Sequence, residues 1–252
     1  MKEEFIEKAF IRDGKEIEGP VAAMSLLSAS SMRFRWNEKN ERRKAFLKKI
    51  SGKKTIAQVE LIHSKTVYAV ENADELFQQQ GDGIITRQKN LVPVITVADC
   101  MPIFLYEAET GVFGVLHSGW KGTGIVKEAL DLARSLYGSK AENFSVILGP
   151  HIHKCCYLVD EERAAYFSST FTPSCVEEDK EKKGFFRLSL ADANLSILEK
   201  AGVRRENIFV SDECTCCTKY ADSSFKYGSF RREAGSINIP FTVQVAWIKW
   251  ND

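Results

Sequence analysis

The fold is decided by Leu91-Val-Pro-Val-Ile-Thr-Val-Ala-Asp-Cys-Met-Pro-Ile-Phe-Leu-Tyr106, followed a few residues later by Val112-Phe-Gly-Val-Leu-His-Ser-Gly-Trp-Lys-Gly-Thr-Gly124. Residues 92–97, 102–106 and 112–117 are apolar, β-branched or aromatic runs, long enough for buried strands and too short for helices. Beyond the glycine-rich segment 118–124, Ile125, Ala129, Leu132, Ala133 and Leu136 recur on one helical face. Gly138 then stops that helix as a C-cap glycine would.

Working outward, residues 144–148 resume as a strand, a helix is predicted from Asp160 to Phe167, and the charged run 177–183 reads as a solvated loop or hairpin tip. Residues 185–190 form a strand, 191–201 a helix stopped by Gly202, 207–210 another strand, and 237–250 one long strand broken only by Pro240. Upstream, the first 30 residues read as short strands, 37–50 as a surface helix, and 56–62 and 66–70 as successive strands. Gly81-Asp82-Gly83 is a turn signal. With no internal repeat and no linker, the chain reads as one α+β domain spanning residues 1–252.

The composition is that of a globular protein, 44% hydrophobic and 27% charged over 252 residues, which excludes disorder for the bulk of the chain. A net charge of +1 offers no basic field to nucleic-acid backbones, so no nucleic-acid partner is expected. The best apolar run, residues 91–98, is cut by Asp99 well short of the roughly 18 residues a membrane helix needs, so no membrane partner is expected either. Met1-Lys2-Glu3-Glu4 lacks the pattern of a signal peptide, and the expected location is cytoplasmic. The seven cysteines then read as thiols or metal ligands rather than disulfides. Cys214-Thr-Cys-Cys217 invites a structural zinc, but the usual pair of separated C-x-x-C knuckles is absent, and buried inert thiols are the expectation.

His63 and His117 end strands, and Cys100 lies in the break between two strands. Strand ends are where side chains leave a packed sheet and can converge on a ligand. Two imidazoles and a thiolate form a three-ligand set for zinc with the fourth position open. The alternative is two satisfied polar histidines and a core cysteine. His151 and His153 alternate on an extended segment, point to opposite faces and read as surface or supporting residues. Segment 118–124 opens a helix and suits an anion, with Lys121 adding charge; the other reading is tight-turn and packing glycines. No P-loop, G-x-S-x-G elbow, H-E-x-x-H, cytidine-deaminase signature or dinucleotide-binding glycine pattern is present.

Several blocks together carry a family resemblance: Leu61-Ile-His63-Ser64, Gly81-Asp-Gly-Ile-Ile-Thr86, Val97-Ala-Asp-Cys-Met-Pro102, Gly114-Val-Leu-His-Ser-Gly-Trp-Lys-Gly122, residues 148–157, Cys214-Thr-Cys-Cys217 and Ser229-Phe-Arg-Arg232. The chain resembles the multicopper-oxidase-like laccase-domain family, described as purine nucleoside phosphorylases and often labelled polyphenol oxidase. The resemblance implies a four-layer α/β/β/α sandwich with mixed sheets, and a zinc bound by His63, Cys100 and His117. It also implies phosphorolysis of adenosine, inosine, guanosine and methylthioadenosine, deamination of adenosine, and purine nucleoside and phosphate as the partners of a monomer or homodimer. Asp99 would orient a metal-bound histidine or accept a proton, with turn stabilisation as the other reading. Candidate phosphate cations are Arg43, Lys121 and Arg231, each also readable as a solvated surface charge.

The departures lie at the periphery. Leu61 replaces the family's glutamine, residues 26–35 lack its N-terminal Gly-Gly loop, either Arg42 or Arg43 matches its helix arginine, and Gly235-Ser236 stands where it has Gly-Arg. Two alternatives keep the same residues. Cys100 with His117 would serve an amide hydrolase acting on cell-wall precursors. A copper-dependent polyphenol oxidase is the other, although four histidines are few for such a site and copper suits the set mainly as an in vitro substitute.

Overall fold

A computed structural model describes residues 3–234 and 241–251. Residues 5–25 form one long hairpin instead of short strands, β1 (Phe5–Arg12) and β2 (Lys15–Ser25), turning at Asp13-Gly14 where both residues take positive φ. Helix α1 (Glu41–Ser51) starts at Asn40, whose side chain accepts from the Arg43 N–H, and buries Phe46, Leu47 and Ile50. Strand β3 (Thr55–Gln58) is shorter than the strand predicted through Ile62. The chain leaves the sheet there and reaches His63, which holds a φ of 60°, outside strand geometry. Strands β4 (Val67–Ala69), β5 (Gly83–Thr86), β6 (Leu91–Val97), β7 (Met101–Glu107) and β8 (Val112–Ser118) follow.

Helix α2 (Ile125–Tyr137) ends at a left-handed Gly138, as the sequence predicts, and strand β9 (Phe144–Leu148) follows. Next come β10 (Leu158–Asp160), α3 (Glu161–Thr170), β11 (Val176–Glu178) and β12 (Phe185–Leu188); the charged run begins within β11 and forms, from residue 179 on, the hairpin tip before β12. The chain then runs through α4 (Leu190–Ala201), β13 (Ile208–Val210), the short α5 (Phe230–Glu233) and β14 (Gln244–Lys249). The strand predicted over 237–250 is thus observed only as β14; residues 237–240 and the Gly235-Ser236 departure lie outside the described residues.

Two mixed sheets stack, one ordered β1-β2-β14-β6-β3 and the other β13-β9-β7-β8-β5-β4. Phe10, Met24, Ile95, Phe104, Phe113 and Ile248 fill the space between them. On the outer face of the first sheet, Phe46, Leu47 and Ile50 of α1 pack on Val92, Val94 and Trp247. On the outer face of the second, Ile125, Val126 and Ala129 of α2 and Leu198 of α4 pack on Ile103, Leu105 and Leu116. The result is the expected α/β/β/α sandwich, an α+β domain with mixed sheets.

This layering explains the continuous apolar runs. Alternate residues of β7 face opposite layers, Ile103 and Leu105 toward the helices and Phe104 and Tyr106 toward the other sheet, so neither face can be polar. Each such side chain contributes roughly 1.5–3 kcal/mol by leaving water. A third, small sheet ordered β10-β12-β11 is flanked by α3; the sequence signals its central strand, β12, within the predicted 185–190, but the three-residue β10 and β11 carry too little alternation to register. No helix among the described residues is long and apolar enough to cross a membrane.

Candidate metal centre

Strand register assembles the site. Antiparallel pairing of β7 with β8 sets Met101 opposite Ser118 and Pro102 opposite His117, so Cys100, one residue before β7, emerges at the sheet end where β8 delivers His117. Pairing of Gly83 with Leu116 brings Asp82 alongside, and the His117 N–H donates to the Asp82 carbonyl at 2.7 Å. Parallel pairing of Val67 with Gly83 carries His63 and Ser64 to the same end. One ligand atom from each of His63, Cys100 and His117 lies within 4.8 Å of the others, and the two imidazole centroids are 4.9 Å apart. His63 is exposed, Cys100 half-buried and His117 buried, so the trio opens to solvent on the His63 side.

The organiser is Asp82, fully buried. Its Oδ1 accepts from His117 Nδ1 and from the His63 N–H, both at 2.9 Å; its Oδ2 accepts from the Ser64 N–H at 2.6 Å and the Ser64 hydroxyl at 2.7 Å. Burial alone would raise this carboxyl, but the His117 and Ser64 donors hold it below its usual value. With Nδ1 engaged by Asp82, Nε2 is the nitrogen His117 turns toward Cys100. Burial would likewise raise the Cys100 thiol, yet His117 and His63 pull it down to about 6; burial would lower His117, yet Cys100 and Asp82 push it up to about 10. These mutual shifts describe a thiolate stabilised by imidazolium, an environment that favours cation binding once the rings give up their protons. The donor set and its carboxylate support therefore fit a divalent metal.

The glycines of 118–124 serve close packing at this corner. A Cβ on Gly119 would sit 2.7 Å from Cys100 Sγ, and one on Gly122 would sit 2.9 Å from the Ser64 carbonyl oxygen. Both approaches are tighter than carbon allows, so glycine clears the space for the thiol.

Asp99 does not orient a histidine; Asp82 does. With a φ of 74°, Asp99 turns away and accepts from the Thr215 hydroxyl at 2.7 Å, the Ser229 hydroxyl at 2.9 Å and the Arg231 N–H at 2.6 Å. It ties the 214–217 and 229–232 segments to the residue before Cys100, which is the turn-stabilising reading.

The cations separate. Arg231 is anchored beside Asp99, its guanidinium 5.3 Å from the Tyr157 ring and bonded to the Leu158 carbonyl. Lys121 is exposed over Trp120. Arg43 is buried in the α1 layer, bonded to Gln58 and stacked 4.4 Å over Phe34, and burial lowers it to about 10. Arg42, its alternative, is exposed and bonds the Ala29 carbonyl.

Sequence reading missed Asp82, Tyr157 and Arg163. Arg163 stacks 4.4 Å over Trp120, and its buried Nε has no hydrogen-bond partner among the described residues. Burial raises the Tyr157 phenol, which feels the charges of Arg163, Cys100 and Arg231, so these groups neighbour one another beside Cys100. An acidic residue between two glycines before a strand was the available signal for Asp82; Arg163 had none, being one cation on a charged helix.

His151 corrects another expectation. It is buried, and its ring centroid is 4.4 Å from that of His153 rather than on an opposite face. The segment is an irregular crossing, pinned by the Thr215 N–H on the His151 carbonyl and the Ile152 N–H on the Asp99 carbonyl, so strand alternation does not apply.

The sequence profile of the family described as multi-copper polyphenol oxidoreductase laccase matches residues 20–242. A purine nucleoside phosphorylase of Clostridium acetobutylicum is 30% identical over 191 residues, 75% of this chain and 76% of its own length. An adenosine deaminase, RL5, from an unknown prokaryotic organism is 30% identical over 138 residues, 54% of this chain and 53% of that protein. The crystal structure of YlmD from Geobacillus stearothermophilus shares the fold, with a TM-score of 0.79 at 22% identity over 93% of each chain.

Proposed function

From the premise that this chain belongs to the multi-copper polyphenol oxidoreductase laccase family, we propose that it is a zinc-dependent purine nucleoside phosphorylase that also deaminates adenosine. The observation that carries this reading is the convergence of His63, Cys100 and His117 around Asp82 at an open sheet end. The names of the similar phosphorylase and deaminase support it. Adenosine, inosine, guanosine and methylthioadenosine are the substrates we assign.

His63, Cys100 and His117 would hold the zinc, which would supply Lewis acidity toward a water or phosphate oxygen at neutral pH. Asp82 holds the His117 ring in the tautomer that presents Nε2. Arg163, Arg231 and the Tyr157 hydroxyl would receive the phosphate, Arg163 offering the unpartnered Nε. In phosphorolysis a phosphate oxygen bonds to the ribosyl carbon, the carbon–nitrogen bond breaks, and its electron pair leaves with the purine, which takes up a proton. Positive charge develops on the sugar as the bond breaks, so an anion held by these cations stabilises the transition state. Lys121, being exposed, would contribute only long-range attraction, and Arg43 would act from the α1 layer.

The amide-hydrolase and copper-oxidase readings are not favoured: the similar proteins carry phosphorylase and deaminase names, and the oxidoreductase label belongs to the family description. Seven free cysteines support a reducing, cytoplasmic setting. Incubating the zinc-loaded protein with adenosine and phosphate should release adenine and ribose phosphate, with inosine as the deamination product. Absence of all three would defeat the proposal.

A further inference from the structure

Four cysteines gather on the far side of Asp99 from the His63 centre. Cys155, Cys156, Cys214 and Cys217 place their Sγ atoms within 4.8 Å of one another, the Cys155–Cys217 pair at 3.6 Å across 62 positions of sequence. This corrects the expectation of buried inert thiols: Cys155 and Cys217 are exposed, and only Cys214 of the four is buried. A turn at residues 154–156 lets the adjacent Cys155 and Cys156 reach the same centre, which an extended strand would forbid. A tetrahedral zinc with bonds of about 2.3 Å requires sulfur–sulfur separations near 3.8 Å, the range this cluster already spans.

We propose that Cys155, Cys156, Cys214 and Cys217 bind a second zinc ion as a closed structural site. Binding would displace the four thiol protons to solvent and leave a tetrathiolate of net charge −2. The surroundings suit that charge. Cys214 Sγ accepts the His153 N–H at 3.4 Å, and the N–H groups of Cys216 and Cys217 also favour its thiolate. Guanidinium groups grip both ligand loops from outside: Arg187 donates to the Cys155 carbonyl at 2.9 Å, and Arg232 donates to the Cys216 carbonyl at 2.6 Å. Cys216 and Cys175 are not members of the cluster.

The consequence is mechanical. Thr215, between two of the ligands, bonds Asp99 Oδ1, while Ile152, just before the other ligand loop, bonds the Asp99 carbonyl. A zinc joining the two loops would clamp Asp99 from both sides and so fix the start of β7, from which Cys100 emerges.

The test counts zinc per chain, by elemental and native mass spectrometry, after loading with zinc under reducing conditions and desalting. We expect two equivalents in the wild type, one in Cys100→Ala and one in Cys155→Ser/Cys217→Ser. Cobalt-loaded Cys100→Ala should show a thiolate-to-cobalt charge-transfer band of four-thiolate intensity, a reading that does not depend on folding of the cysteine double variant. No zinc in Cys100→Ala, or a cobalt spectrum without that band, overturns the site. The proposal is independent of the catalytic reading: one zinc in both wild type and Cys100→Ala would sink the first centre and leave this one standing.

Discussion

The two clusters are built from opposite materials. At the sheet end, backbone pairing delivers two histidines and one cysteine, a buried carboxylate sets the ring orientation, and one ligand is exposed. Across Asp99, two irregular loops deliver four cysteines, with backbone N–H groups supporting the Cys214 sulfur. The first arrangement leaves a side open where a substrate can enter; the second supplies all four ligands a structural zinc uses. On the proposed roles, chemistry would sit at the sheet end and cross-linking on loops, which gives the reacting groups the more rigid platform.

The sharpest way to break this contrast is Cys100→Ala, which should abolish phosphorolysis measured by adenine release; retained turnover would mean that the sheet-end trio is not the reaction centre. Metal-stripped protein should separate the clusters by thiol chemistry. Cys100, with its thiol lowered to about 6, is a thiolate at pH 7–8, whereas Cys155, raised to about 12 by burial and its sulfur neighbours, remains a thiol. Iodoacetamide at pH 7 followed by peptide mapping should therefore label Cys100 well before Cys155, with Cys100 labelling falling as pH drops below about 6. Asp82→Asn should weaken zinc at the first centre about 10–100-fold in a competitive chelator titration, the usual effect of losing a carboxylate behind a ligand histidine. Arg163→Gln should raise the KM for phosphate about tenfold, as loss of one charge-assisted hydrogen bond would, while Lys121→Ala should change it less than about twofold.

Much of the first centre was readable because it rests on regular structure. Residues 92–97, 102–106 and 112–117 announce strands by composition, and once they pair, the break at Asp99-Cys100 and the end at His117 must meet. The α2 helix and its glycine stop were equally legible. The carboxylate partner was assigned to Asp99 through its adjacency to Cys100, but φ decides where a side chain points, and the 74° at Asp99 sends it to Thr215 and Ser229. The second cluster left no such trace. Its halves lie in turns separated by β10–β13 and α3–α4, so no periodicity links them, and Cys155-Cys156 is not a knuckle spacing. The same holds for Arg163, whose proposed role rests on what stands opposite it, Trp120 and Tyr157, rather than on its own helix.

The most direct measurement is the phosphate dependence of adenine release from adenosine by the zinc-loaded protein, with and without prior chelation. The account requires adenine to appear in proportion to phosphate and to vanish on chelation, returning when zinc is restored. Adenine release that ignores chelation, or a loaded protein inert toward adenosine at any phosphate concentration, would contradict it.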